Sequence, residues 1–185
     1  MAAGLMVRLF GFTQVTGRSP MILRLSQKLA KKLKEAPSQS LPLDSNPYAD
    51  WSCHLFTADR TQYIILTNTA SLYSAIMFGA GTTDGSQFIR RALDCIRESL
   101  VDDGQEFIYR KFIAPATGTV RFSKALNRSV TGSINDLVRC AKLWLVESEL
   151  SPFDTGFKLN DMPMSALDYK KQKEVFKGLG VKERT

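Results

Sequence analysis

Ala58-Asp59-Arg60-Thr61 is the stretch that most limits what this chain can fold into. It lies between two β-forming runs, and so short a connection between such runs closes an antiparallel hairpin. On one side of it, Asp50 to Phe56 alternates, with Trp51, Cys53 and Leu55 on one face and Ser52 and His54 on the other. On the other side, Tyr63 to Leu66 is rich in β-formers. Leu72 to Phe78 reads as a third strand, and Gly79 to Gly85 then breaks the pattern. The expected frame is an antiparallel meander.

Helical spacing surrounds that frame. Met21 to Leu25 reads as a short strand, and Ser26 as the N-cap of a lysine-rich helix that buries Leu29, Ala30 and Leu33. Pro37 ends it, and Ser38 to Pro47 has the composition of a surface loop. Asp84-Gly-Ser-Gln87 has the form of a capping box, opening a helix with Phe88, Ala92, Cys95 and Ile96 at core spacing. A short helix over Gln105 to Ile113 and a strand over Thr119 to Ser123 follow. The next helix carries the stripe Val130, Ile134, Leu137, Val138, Ala141 and Leu145, and Ser151-Pro152 ends it. From Phe153 the pattern predicts a wrapping segment and then a short basic helix, Asp168 to Lys177. The expected fold is a single α+β domain over residues 21–177, a mainly antiparallel sheet with helices packed on one face. Residues 1–20 are expected to be a poorly ordered extension, as if the start were assigned upstream of Met21, and residues 178–185 a frayed tail.

With 185 residues, 44% hydrophobic and 23% charged, the chain has enough apolar material for a real core. No apolar run approaches the roughly 18 residues of a membrane span, so a soluble protein is expected, with no membrane partner. Cys53, Cys95 and Cys140 are odd in number and widely spaced, and His54 is the only histidine. Zinc spacings and a disulfide framework are therefore both missing, which points to a reducing, cytoplasmic location. The formal charge of +7 is concentrated in Lys28 to Lys34 and in the tail from Lys170, a footprint suited to nucleic acid or an acidic protein.

Polar residues crowd one place, Lys124 to Asp136, just ahead of the apolar stripe. On a helix begun near Ser129, Gly132, Ser133 and Asp136 share one side. Asn127, Arg128 and Ser129 fall where free N–H groups emerge, and Lys124 comes from the preceding strand end, so a phosphate or carboxylate is the expected ligand. Lys124, Asn127, Arg128, Ser129, Gly132, Asn135 and Asp136 are the candidate ligand-binding residues, with Asp59, Arg60 and Asn68 as weaker ones on neighbouring loops. The plainer alternative makes Asn127 or Ser129 a cap and pairs Asp136 with Arg139. No phosphate loop, dinucleotide fingerprint or nucleophile elbow is present, so neither cofactor nor metal is expected.

Several of these stretches together resemble a bacterial family of domains of unknown function (domain of unknown function 6933). They are the Met-Ile-Leu-Arg start at Met21, Asp50-Trp51 with Leu55-Phe56, Asp59-Arg60, Leu66-Thr67-Asn68, and the Asn127-Arg128-Ser129-Val130-x-Gly132-Ser133-x-Asn135-Asp136 core. The similarity runs from about Met21 to Phe176. Where the family shows a threonine and an asparagine after the matching lysine, this chain has Ala125 and Leu126. The resemblance implies no activity, cofactor or partner. Two functions are weighed: a non-catalytic module that binds an anionic partner, nucleic acid or protein, and an enzyme on a phosphorylated or nucleotide substrate. In the second, Asp136 is the catalytic candidate, and Lys124 and Arg128 hold the phosphate.

Overall fold

The computed structural model describes residues 19–180; the expectations for residues 1–18 and 181–185 lie outside the described residues. Five strands form one sheet: β1 (Met21–Leu25), β2 (Asp50–Ala58), β3 (Thr61–Asn68), β4 (Ser74–Phe78) and β5 (Val120–Lys124), in the order β4-β3-β2-β1-β5. The hairpin closes as its turn requires. Ala58 faces Thr61 across the antiparallel pair of β2 and β3, and Asp59 and Arg60 adopt φ values of 40° and 64°, the paired left-handed conformation of a two-residue turn that matches strand twist. β4 continues the meander, Tyr63 opposite Phe78. β1 enters differently: it runs parallel to β2, Leu25 opposite Cys53, and parallel to β5, Leu25 opposite Lys124. A small antiparallel pair, β6 (Pro163–Met164) with β7 (Lys170–Lys171), lies apart from the sheet.

The helices are α1 (Gln27–Leu33), α2 (Gly85–Asp102), α3 (Glu106–Ile108, running on as a π-helical turn to Ile113), α4 (Arg128–Val146), α5 (Pro152–Asn160) and α6 (Gln172–Gly178). The chain is a single α+β domain, but the helices do not keep to one face. Trp51, Cys53, Ile64, Leu66, Ala75 and Met77 share a core with α1, α2 and α6 through Leu29, Phe88, Ile96 and Phe176. Phe56, Ala58, Ile65 and Ile76 share a second core with α4 and α5 through Ile134, Leu137, Ala141 and Leu159. The unbroken apolar run Ile64-Ile-Leu66, fully buried, is what a strand covered on both faces needs, whereas a one-sided strand alternates.

The second layer depends on a helix that periodicity does not reveal. Ser151-Pro152, expected only to end α4, also begins α5: the Ser151 hydroxyl accepts the Asp154 N–H at 3.0 Å, and proline suits a first turn because its missing N–H has no partner there. The buried side of α5 is Thr155, Gly156, Leu159 and Asn160, too polar for an apolar stripe. A Cβ built on Gly156 would come within 3.4 Å of the Ser74 carbonyl oxygen, so glycine lets the helix lie close against β4. Asn160 then binds that edge strand as another strand would. Its Oδ1 accepts the Ser74 N–H at 2.7 Å, and its amide donates to the Ser74 carbonyl at 2.9 Å. At the other end, the first residues of the expected frayed tail are tied down, because the Gly180 N–H donates to the Tyr48 hydroxyl at 2.9 Å.

A buried ion pair fixes β1 against the start of β2 and the loop before it. Arg24 and Asp50 are both fully buried and bond through two parallel contacts, Nε to Oδ1 and Nη2 to Oδ2, each 2.7 Å. The other guanidinium hydrogens go to the Leu41 and Pro42 carbonyls and to Ser123 Oγ. A buried guanidinium is tolerable when every donor is met, as here. These two side chains sit within the Met-Ile-Leu-Arg and Asp-Trp motifs, which gives those motifs a structural cause.

Candidate functional site: a lysine-lined cleft

β1 and β5 lie side by side, run the same way, and end together at Leu25 and Lys124. The chain leaves β1 into α1 on one face of the sheet and leaves β5 for α4 on the other. Neighbouring parallel strands whose following helices part to opposite faces leave a crevice beyond their carboxyl ends. That crevice is present, with a volume of about 820 Å³. α1 contributes Ser26, Gln27, Lys28 and Lys31 to its lining, and α4 contributes Thr131, Asn135, Val138 and Lys142. Between them lie His54 to Thr57 of β2, with Gln62 and Ala125.

The charge of the lining has one sign. Lys28, Lys31 and Lys142 are exposed, and among the described residues no aspartate or glutamate lines the cleft. Among the described residues, none of these lysines is in an ion pair. The second basic cluster differs, because Lys171 and Lys173 both close on Asp161, at 3.3 and 2.6 Å. Lys32 is held at the cleft rim, its Nζ donating to Gln62 Oε1 at 2.7 Å.

His54 forms part of the wall. It is 8% exposed, and burial alone pushes its imidazole down to about 4, so at neutral pH it is an uncharged ring able to donate from one nitrogen and accept at the other. Neither function weighed from the sequence assigned it a role, and its place beside α1 follows only from the parallel pairing of β1 with β2.

The polar stretch at the head of α4 divides. Asn127, Arg128, Gly132 and Asn135, with Ala125 and Thr131, line a shallower depression of about 400 Å³. Ala125, Thr131 and Asn135 line both hollows, so the two adjoin. Asn127 is the cap of α4, its Oδ1 accepting the Val130 N–H at 2.9 Å. A Cβ on Gly132 would meet nothing within 4 Å, so no packing requires glycine there. Lys124, Ser129 and Asp136 line neither hollow. Asp136 pairs with Arg139 at 2.9 Å on the exposed side of α4, and Ser129 offers its carbonyl to the Ser133 hydroxyl at 3.3 Å. Asp59 and Arg60 form the hairpin tip. Asn68 is buried as a brace, donating to the Pro47 carbonyl at 2.8 Å and accepting from Ser71. Among the described residues no group of three potential metal ligands gathers.

Fold and site together define a sheet covered by helices on both faces, with a cationic cleft at the ends of its parallel strands. The chain belongs to the DUF6933 family of domains of unknown function, whose model matches residues 22–175. Neither the curated proteins nor the solved structures contain a match to it. Among the described residues, no helix is long and apolar enough to cross a membrane.

Proposed function

We propose that this protein is a non-catalytic binding module that holds an anionic partner, nucleic acid or protein, in the cleft between α1 and α4. The observation that carries this reading is the lining itself: three lysines around about 820 Å³, with no ion-pair partner and no carboxylate in the lining among the described residues. Like charges gathered without counter-charges cost stability through repulsion, and an anion relieves that cost while being drawn in by the focused field. Leu55, Phe56 and Val138 add apolar wall, so the ligand has an apolar part beside its charge. Of the candidate ligand-binding residues of the α4 stretch, Asn135 joins this site, and Arg128 extends it along the neighbouring depression. The free thiols of Cys53, Cys95 and Cys140 fit a reducing compartment, and we place the protein in a bacterial cytoplasm.

The test is binding of a labelled single-stranded oligonucleotide and a labelled polyglutamate peptide at low and moderate salt. At least one binds, more weakly as salt rises, because each contact releases counterions or is screened. Reversing charge at Lys28 and Lys31 together lowers affinity by about tenfold or more, at ~1 kcal/mol or more per desolvated contact. Affinity that ignores both salt and the reversal would remove the basis of this reading.

A further inference from the structure

β2 runs on after β1 has stopped. β1 ends at Leu25, opposite Cys53, whereas β2 continues to Ala58. The last bond between them is from the Ser26 N–H to the Cys53 carbonyl, 3.0 Å. Peptide groups alternate sides along a strand, so Leu55 and Thr57, in phase with Cys53, turn their N–H and C=O toward the space β1 has vacated. His54, Phe56 and Ala58 turn theirs to β3, with Ala58 opposite Thr61 at the hairpin. Among the described residues, no backbone group outside the ladder bonds to Leu55 or Thr57, and β1 reaches no further than Cys53. Two donors and two acceptors of an interior strand therefore open into the cleft, where Leu55 and Thr57 are part of the lining.

We propose that an extended acidic segment of a partner protein enters this slot and pairs with Leu55–Thr57 as an added strand, its carboxylates held by Lys28, Lys31 and Lys142. The inference rests on the anion-binding reading above and narrows it to a peptide. A strand added to an open edge gains its affinity from main-chain bonds and its selectivity from the flanking side chains. Here the flanks are cationic, so the segment is acidic. A phosphodiester backbone presents acceptors and no donors, and it would leave the Leu55 and Thr57 carbonyls unmatched. His54 adds an independent sign of a ligand: a polar side chain nine-tenths buried, lining the slot, whose lowered basicity is traced to burial with no hydrogen-bonding or charged neighbour contributing.

The experiment measures anisotropy of the full chain with a labelled peptide of alternating glutamate and threonine. Two further versions carry backbone N-methyl groups on the odd or on the even amides, and a labelled oligothymidylate completes the set. The unmethylated peptide binds; methylation in one phase weakens it about tenfold or more, since roughly two ladder bonds are lost, and methylation in the other phase does not. Thr57→Pro weakens the same peptide comparably, because it removes an N–H that the fold itself does not use. The methylated peptides give the answer on unaltered protein even where that variant folds poorly. Oligothymidylate binding without peptide binding, or peptide binding indifferent to both methylation phases, would overturn the added strand and leave the anion-binding reading standing. Binding of neither probe would overturn both.

Discussion

His54 concentrates the acid–base behaviour of the cleft in a single ring. Its imidazole is buried and titrates near 4 in the folded chain, against an ordinary value near 6.5 when the chain is unfolded. A buried ring that resists its proton favours the folded state fully above pH 6.5, and that stability is lost as the pH falls toward 4. A shift of that size corresponds to a loss on the order of 3 kcal/mol across the window. Urea denaturation at several pH values checks it: the natural chain weakens between pH 6.5 and 4, and His54→Gln weakens much less. Equal acid sensitivity of the two would mean that the ring reaches water freely. At this scale, local relations could be read from the chain and distant ones could not. The pairing of Asp136 with Arg139 is three residues apart on one helix and was one of the alternatives the spacing allowed. Arg24 and Asp50 are 26 residues apart and meet only because β1 and β2 align in parallel register. Asn68 has the look of a loop residue facing solvent, and it is a buried brace because its amide donates to the distant Pro47 carbonyl while accepting the Ser71 N–H.

Among the elements, the hairpin and the capped helices could be read because their cause is local. A two-residue turn, the Ser26 cap and the Asp84 cap are each set within four residues. α5 could not, because what it buries is chosen by its fit to the edge of β4. Glycine gives closeness, and Asn160 gives one donor and one acceptor in strand-like placement. This protects an edge that would otherwise present unpaired groups. Asn160→Ala leaves the Ser74 N–H and C=O buried without partners and is expected to cost about 2–4 kcal/mol, at ~1–3 kcal/mol per orphaned group with partial relief by water. Chemical denaturation would show it. A loss below ~0.5 kcal/mol, the ordinary range for surface changes, would mean that α5 does not close this edge.

For the molecule as a whole, the position of the site follows from where the chain stops extending. β1 and β5 end together, their helices diverge to opposite faces, and the lysines of α1 come to face Lys142 of α4 across the gap. The sequence alone placed the polar groups of the α4 head at one spot. The fold divides them: Asn135 joins α1 at the cleft, Arg128 stays in the adjoining depression, and Asp136 turns outward. The charge clusters were legible from composition, but not which of them holds a carboxylate, since Asp161 meets Lys171 and Lys173 only through folding. The measurement that bears most directly on this account is NMR shift mapping of isotope-labelled protein titrated with the glutamate–threonine peptide. The signals expected to move are those of Lys28, Lys31, His54, Leu55, Thr57, Asn135 and Lys142. Perturbation confined to the basic tail around Lys170 to Lys177, with the cleft unchanged, would contradict it.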